Sequence, residues 1–214
     1  MKKIIAFDCD STLSAIEGVD ELARLAGPDV FRQVADLTNQ AMNGEIPIEE
    51  IFGRRLDLIK PTRQQCEAIG KMYLDEIEPT ARETMAALKA DGWESLIISG
   101  GFAPCIEPLA KDLGIEQIEA VPLHFDVAGS YLGFDKDYPT TRDGGKPDII
   151  SSIRKNQSPD IIVMVGDGVS DLETTPVVDH FIGFLRYAER KKVVADCMHR
   201  VKSLRQILKI TGGL

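Results

Sequence analysis

Three short apolar runs in this chain each stop at a cluster of glycine, serine or aspartate, and that repetition restricts the fold more than any other feature. Residues 2–7 end at Asp8-Cys9-Asp10-Ser11-Thr12, residues 94–98 at Ser99-Gly100-Gly101, and residues 161–165 at Gly166-Asp167-Gly168. Runs rich in Ile and Val and bounded by turn residues suit strands buried on both faces of a parallel sheet. Ligands of such sheets sit outside the carboxyl ends of the strands, where all three polar clusters would lie. Helical patterns at 80–91, 103–113 and 146–155 alternate with the runs, so the expected class is α/β with a Rossmann-like parallel sheet core. A further short strand is expected at 181–184, a basic helix at 190–195 and a closing helix at 204–210.

Residues 14–78 break this rhythm. They are poor in strand formers and carry helical periodicity, as in Val19, Leu22, Ala23, Leu25 and Ala26. The stretch is too long for one crossover between neighbouring strands. It is expected to form a small helical cap inserted after the first strand, with Pro47 and Pro61 marking breaks between its helices. The expected division is a core of residues 1–13 and 79–214 and a cap of residues 14–78. Alternation around Gly129 predicts a β-hairpin over 123–134.

Composition decides which partners are excluded. Of the 214 residues, 43% are hydrophobic and 28% charged, which is enough apolar material for a core and argues against disorder. The formal net charge of −9 makes a nucleic-acid or anionic-membrane partner unexpected, because such surfaces need many basic contacts. No apolar run approaches the ~18–20 residues that span a bilayer, and the N-terminal run meets an acid too early for a signal peptide. A cytoplasmic monomer or homodimer is expected. Cys9, Cys66, Cys105 and Cys197 are widely spaced, so they predict packed thiols and neither a zinc site nor a disulfide framework.

The polar clusters carry the chemistry. Asp8 and Asp10, at i and i+2 of an extended strand, would project to one side and share a small volume. Two close carboxylates share a proton, recruit a divalent cation, or divide the work between nucleophile and proton carrier. Asp167, between two glycines after another buried strand, adds a third oxygen ligand. Oxygen donors without His or Cys favour Mg²⁺ over zinc. Ser99, Gly100 and Gly101 offer a hydroxyl and accessible N–H groups before a helix start, the parts of an anion site. Lys146 follows the flexible pair Gly144-Gly145 and supplies a cation. Each motif alone describes an ordinary turn or surface residue. Their order and company give them weight.

Together, Asp8-Cys9-Asp10-Ser11-Thr12, Ser99-Gly100-Gly101, Gly145-Lys146 and Gly166-Asp167-Gly168-Val169-Ser170-Asp171 resemble the four motifs of the haloacid-dehalogenase superfamily of phosphatases. In the expected cap, Glu17-Gly18-Val19-Asp20-Glu21-Leu22-Ala23, Ala41-Met42-Asn43-Gly44 and Arg55-Leu56 resemble its phosphoserine-hydrolysing branch. The resemblance implies an Asp8 nucleophile, Asp10 as general acid and then base, and Mg²⁺ held by Asp8, the Asp10 carbonyl and Asp167. It also implies that Ser99 and Gly100, with Gly101 beside them, bind phosphate while Lys146 counters the charge. Asp171 would orient metal waters or Lys146, with Thr12, Ser170 and Arg190 in support. Glu17 would take the substrate ammonium and Arg55 its carboxylate, beside Met42 and Gly44. The implied reaction is hydrolysis of O-phospho-L-serine, the last step of serine biosynthesis.

This chain departs from the branch pattern at Ser170 and at Leu185-Arg186-Tyr187, where a bulkier loop replaces small residues. Three competing expectations remain. The substrate could be phosphohomoserine, phosphothreonine or another small phosphomonoester; the phosphoryl group could pass to an alcohol; or Asp8 could be the phosphorylated residue of a signalling receiver domain. The second acid at Asp10 and the long insertion argue against the receiver.

Overall fold

The computed structural model describes residues 1–42, 46 and 48–214. Strand β1 (Lys3–Phe7) and helix α1 (Gly18–Ala26) come first, followed by α2 (Pro28–Met42), α3 (Ile48–Ile59), α4 (Arg63–Asp75) and α5 (Ala81–Ala90). Next are β2 (Trp93–Phe102), α6 (Ala103–Leu113), β3 (Gln117–Val121) and a hairpin of β4 (Leu123–Phe125) and β5 (Tyr131–Phe134). The chain closes with α7 (Gly145–Gln157), β6 (Ile161–Gly166), α8 (Val169–Leu172), β7 (His180–Phe184), α9 (Lys191–Asp196), β8 (His199–Val201) and α10 (Leu208–Thr211).

Six strands form one sheet in the order β3-β2-β1-β6-β7-β8, and every neighbouring pair is parallel. The α/β class read from the sequence is the class observed. Strand order reverses beside β1, which has β2 on one side and β6 on the other, so the crevice at the carboxyl end of β1 is the switch point of the sheet. Phe7 pairs with Ile97 and with Val165. Asp8 therefore leaves the sheet level with the ends of both neighbours.

Period-two alternation sorts the core into two layers. Ile5, Phe7, Ile97, Val163, Val165 and Ile182 face one layer, with Met85, Leu88, Ile106 and Leu109 from α5 and α6. Ile4, Ala6, Leu96, Ile98, Ile162 and Met164 face the other, against Ile149, Ile150 and Ile153 of α7 and Val193 of α9. Fully burying each such side chain contributes roughly 1.5–3 kcal/mol, so the sheet remains the rigid platform for whatever its ends carry.

Helices α1 to α4 are inserted between β1 and α5. The two ends of the insertion are tied together: Ala15 N–H donates to the Glu76 carbonyl and Glu78 N–H to the Leu13 carbonyl, both at 2.9 Å. Leu22, Val34, Leu56, Ile69 and Tyr73 from the insertion pack into the same apolar layer as Ile106 and Leu109. Helix α4 begins after Pro61 with a capping box between Thr62 and Gln65, which satisfies two otherwise orphaned donors. Pro47 lies outside the described residues.

Several boundaries differ from the sequence expectation. The second strand runs through Ser99-Gly100-Gly101 to Phe102, with a register shift after Ile98, where a loop was expected. A bulged strand end keeps the backbone extended while turning its N–H groups away from the ladder. The closing helix is divided into a tight 3₁₀ turn, Leu204–Ile207, and α10. Strands β3 and β8 were not expected; β3 alternates Gln117 and Glu119 with apolar residues, and β8 has only three residues. The hairpin of β4 and β5 lies where alternation predicts it. All four cysteines are buried free thiols.

Candidate active site

The carboxyl end of β1 supplies the central acid. Asp8 is buried, and its N–H donates to the Val165 carbonyl at 2.9 Å, which fixes the backbone against β6. Its Oδ1 accepts from the Cys9 N–H at 2.7 Å and lies 3.0 Å from Lys146 Nζ. Those contacts occupy Oδ1 and leave Oδ2 for chemistry.

Lys146 sits in the first turn of α7, where the helix dipole disfavours a cation. It is held there by acids: Nζ lies 2.5 Å from Asp171 Oδ1 as well as 3.0 Å from Asp8. Burial favours the neutral amine, but Asp171 and Asp8 outweigh it and keep the ammonium charged well above the ordinary lysine range. Gly145 makes the approach feasible, since a Cβ there would stand 1.8 Å from the Pro139 carbonyl oxygen.

The end of β6 supplies the rest. Asp167 accepts from Thr12 Oγ1 at 3.3 Å and from Arg190 Nε at 3.0 Å. Asp171 Oδ2 accepts from the Gly168 N–H at 2.9 Å. A Cβ on Gly166 would meet the Asp171 carboxyl carbon at 2.2 Å, so glycine at this strand end makes room for the acid. Oxygens of Asp8, Asp167 and Asp171 all lie within 4.8 Å of one another, and all three residues are buried.

That grouping adds a member: beside Asp8 and Asp10, which were expected to share one volume, the carboxylate gathered with Asp8 and Asp167 is that of Asp171. The chain curls after Asp8 into a loop closed by the Ser14 N–H on the Cys9 carbonyl at 3.2 Å, with Ser11 at φ 50, so strand geometry no longer governs Asp10. Its Oδ1 accepts from the Tyr73 hydroxyl at 2.6 Å and the Gly18 N–H at 2.8 Å. Burial, then Glu17 and Asp8, push Asp10 up to about 8 against the pull of those donors. A carboxyl that keeps its proton at neutral pH suits a general acid.

Three clustered acids, Asp8 and Asp171 on Lys146 and Asp167 on Arg190, fit a divalent cation with hard oxygen donors. Without one, the site holds protons instead: burial and then Asp8 push Asp167 up to about 8 and Asp171 up to about 7. The unfolding free energy of the metal-free chain is accordingly expected to fall as pH rises from about 4 to about 8. In that window the unfolded chain has released protons that folded Asp10, Asp167 and Asp171 still bind. Carboxylates held low, such as Asp126 and Asp179, change only below it. Urea titrations across this range check the slope, which an added divalent cation is expected to flatten; stability that rises between pH 4 and 8 would contradict the cluster.

Ser99 is fully buried and its Oγ accepts the Gly101 N–H at 3.0 Å. Gly100 packs near the Thr140 carbonyl, where a Cβ would be 3.8 Å away. The segment runs straight into α6, whose positive end follows at Ala103. Ser170 is exposed on α8.

The insertion contributes a second group. Glu17 Oε1 accepts from Ser11 Oγ at 2.7 Å and lies 3.5 Å from Arg190 Nη2. Arg190 thus bridges Asp167 and Glu17, a placement its sequence position does not reveal. Arg55 stands on α3 with Nη1 3.5 Å from Thr38 Oγ1, its guanidinium 5.7 Å from the Phe52 ring centre, and Nε without a partner among the described residues. Burial pulls its pKa down, while Asp20 and Glu17 act in the opposite direction. Asp20 near Arg55, and Tyr73 and Gly18 on Asp10, are neighbours the sequence did not single out as such; Tyr73 looks like core filler until Asp10 is placed beside it. Gly44 and the side chain of Met42 lie outside the described residues. In the departing loop, Arg186 Nη1 donates to the Lys202 carbonyl at 3.3 Å and lies 3.9 Å from Glu78, facing the ends of the insertion.

A doubly wound sheet carries acids, a lysine and a glycine-rich segment at its switch point, and the chain belongs to the haloacid dehalogenase-like hydrolases, whose family profile matches residues 5–175. Its relatives within that family are more particular. It is 37% identical over 209 residues to phosphoserine phosphatase of Drosophila melanogaster, covering 96% of this chain and 77% of that one. It is 32% identical over 214 residues to phosphoserine phosphatase of Methanocaldococcus jannaschii, covering 97% of each. A solved phospho-aspartyl intermediate analogue of phosphoserine phosphatase superposes with a TM-score of 0.81 at 28% identity, over 98% of both chains. Among the described residues, no helix is long and apolar enough to cross a membrane.

Proposed function

We propose that this chain is a Mg²⁺-dependent phosphoserine phosphatase, a phosphoric monoester hydrolase that converts O-phospho-L-serine and water to L-serine and phosphate. The observation that carries the reading is Asp8, held at the switch point with Lys146 on one carboxylate oxygen and the other without a partner among the described residues, in a chain similar to phosphoserine phosphatases along most of its length. Asp8 attacks phosphorus in line, the bond to the seryl oxygen breaks, and Asp10 gives that oxygen a proton. The carboxylate of Asp10 then takes a proton from the water that hydrolyses the aspartyl phosphate. Lys146, Ser99 and the Gly100 N–H balance charge on the transferring group, with Gly101 beside them holding Ser99 Oγ through its N–H. Bound through Asp8, the Asp10 carbonyl and Asp167, Mg²⁺ would supply further charge stabilisation, with Asp171 steadying Lys146. Residues 14–78 act as the specificity cap, and four reduced thiols suit a cytoplasmic setting.

Phosphoserine carries an ammonium and a carboxylate, and the cap carries one group for each: Glu17 for the first and Arg55 for the second, with Met42, Gly44 and Ser170 assigned to the pocket walls. Arg55→Ala is expected to lower kcat/KM for phosphoserine about 10- to 100-fold, corresponding to the ~1.5–3 kcal/mol of a charged hydrogen bond. An aryl phosphate without a carboxylate should change less than about threefold. Equal losses would remove Arg55 from the pocket. A phosphate-release panel with Mg²⁺ over phosphoserine, phosphothreonine, phosphohomoserine and phosphocholine tests the substrate itself, and preference for any of the last three would displace phosphoserine.

A further inference from the structure

Asp10 Oδ1 accepts two hydrogen bonds from the insertion. Tyr73, 63 positions away on α4, donates its hydroxyl at 2.6 Å, and Gly18, the first residue of α1, donates its N–H at 2.8 Å. Tyr73 is among the largest fully buried side chains of the chain. The fit around it is tight. A Cβ on Gly18 would stand 2.1 Å from the Tyr73 hydroxyl oxygen, so that position accepts the phenol only as glycine. The second oxygen faces another way: a Cβ on Gly101 would lie 3.1 Å from Asp10 Oδ2. Oδ2 therefore stands against the Ser99–Gly101 segment, where the proposed reaction places the phosphoryl group.

We propose that Tyr73 is a positioning residue for proton transfer, saturating Asp10 Oδ1 so that the transferable proton resides on Oδ2 beside the Ser99–Gly101 segment. This rests on the phosphatase reading and extends it. A carboxyl group has two oxygens and can rotate; two fixed donors on one of them make it the acceptor-only oxygen and fix the plane of the group. As the phosphorus–oxygen bond breaks, its electron pair stays on the seryl oxygen and the Oδ2 proton passes to it. Asp10 is left as a carboxylate, still held through Oδ1, and regains a proton on Oδ2 from the attacking water. Tyr73 keeps its own proton throughout. Both donors belong to the insertion, so the geometry of proton delivery is completed only with α1 and α4 seated against the core. The arrangement couples the insertion to chemistry as well as to substrate choice.

Leaving-group dependence separates this role from a structural one. An alkyl alkoxide needs its proton as it departs, whereas p-nitrophenolate leaves without one. The quantity kcat/KM reports the steps through formation of the aspartyl phosphate. With Mg²⁺ present, Tyr73→Phe is expected to lower kcat/KM for O-phospho-L-serine roughly 10- to 100-fold, part of the ~10²–10⁴ that general acid catalysis contributes, with the loss in kcat and KM within about twofold. For p-nitrophenyl phosphate the change is expected to stay below about threefold. Gly18→Ala, which drives the hydroxyl away, should reproduce the selective loss, and the double variant should be little worse than Tyr73→Phe alone. Equal losses on both substrates, no loss on either, or additive losses in the double variant would overturn the role of Tyr73. The wild-type rate on phosphoserine tests the underlying reading separately; if another alkyl phosphomonoester is the better substrate, the same ratio is measured with it.

Discussion

Replacing Asp8 by Asn is expected to abolish phosphate release, with a loss of at least ~10⁴-fold, while the fold remains intact. The amide keeps the size of the side chain but is no longer a nucleophile, and loss of a covalent nucleophile is among the costliest single changes to an enzyme. Folding should survive because the substitution removes one charge from a buried cluster that already holds Asp167 and Asp171. Its oxygen can still accept the Cys9 N–H that Asp8 accepts at 2.7 Å. Phosphate release from phosphoserine, with thermal unfolding as a control on structure, makes the comparison. Substantial residual turnover by a folded variant would sink the nucleophile assignment. Stable phosphate on wild-type Asp8 without turnover would revive the receiver-domain alternative.

Lys146→Met is expected to damage both stability and rate. The ammonium sits between Asp8 and Asp171, with the lysine side chain 5% exposed and those of Asp8 and Asp171 12% and 0%. Solvent screens such a group little. Removing one partner of a buried ion network typically costs about 3–5 kcal/mol, because the remaining charges lose their compensation without regaining water. The metal-free variant should therefore unfold at markedly lower urea, by about 3 kcal/mol. Saturating Mg²⁺ should recover part of the loss, since a cation that binds only the folded chain stabilises it by mass action. Activity should not recover in parallel: kcat/KM should remain down by ~10²–10³, the usual consequence of deleting one charge-stabilising donor. Unchanged stability would mean that the acids are balanced by something other than Lys146.

How much of this was legible in the chain depends on the range of the cause. The strands β1, β2 and β6 could be read because a buried parallel strand writes its signature locally, in a short apolar run and its terminal turn. Gly145 and Gly166 could be read as special but not explained. One clears the Pro139 carbonyl and the other makes room for Asp171, and neither neighbour is implied by spacing alone. The extended end of β2 was misjudged because Ser99-Gly100-Gly101 has turn composition, while pairing across the bulge to β3 keeps the segment in the strand. Arg190 had no clear partner in the sequence; the fold brings it to Asp167 and Glu17, 23 and 173 positions away.

The sequence by itself determined the α/β class, the insertion after the first strand, and the acids, lysine and glycine-rich segment at the strand ends. These follow from local hydrophobic periodicity and from residue types whose chemistry is independent of context. Only the tertiary structure decided how the acids are grouped. It placed Asp171 with Asp8 and Asp167, turned Asp10 toward Tyr73 and Gly18, and set Arg190 between Asp167 and Glu17. Charge pairs and hydrogen bonds act over a few ångströms of space, whatever the separation along the chain. Their partners are defined only once the sheet and the inserted helices have packed.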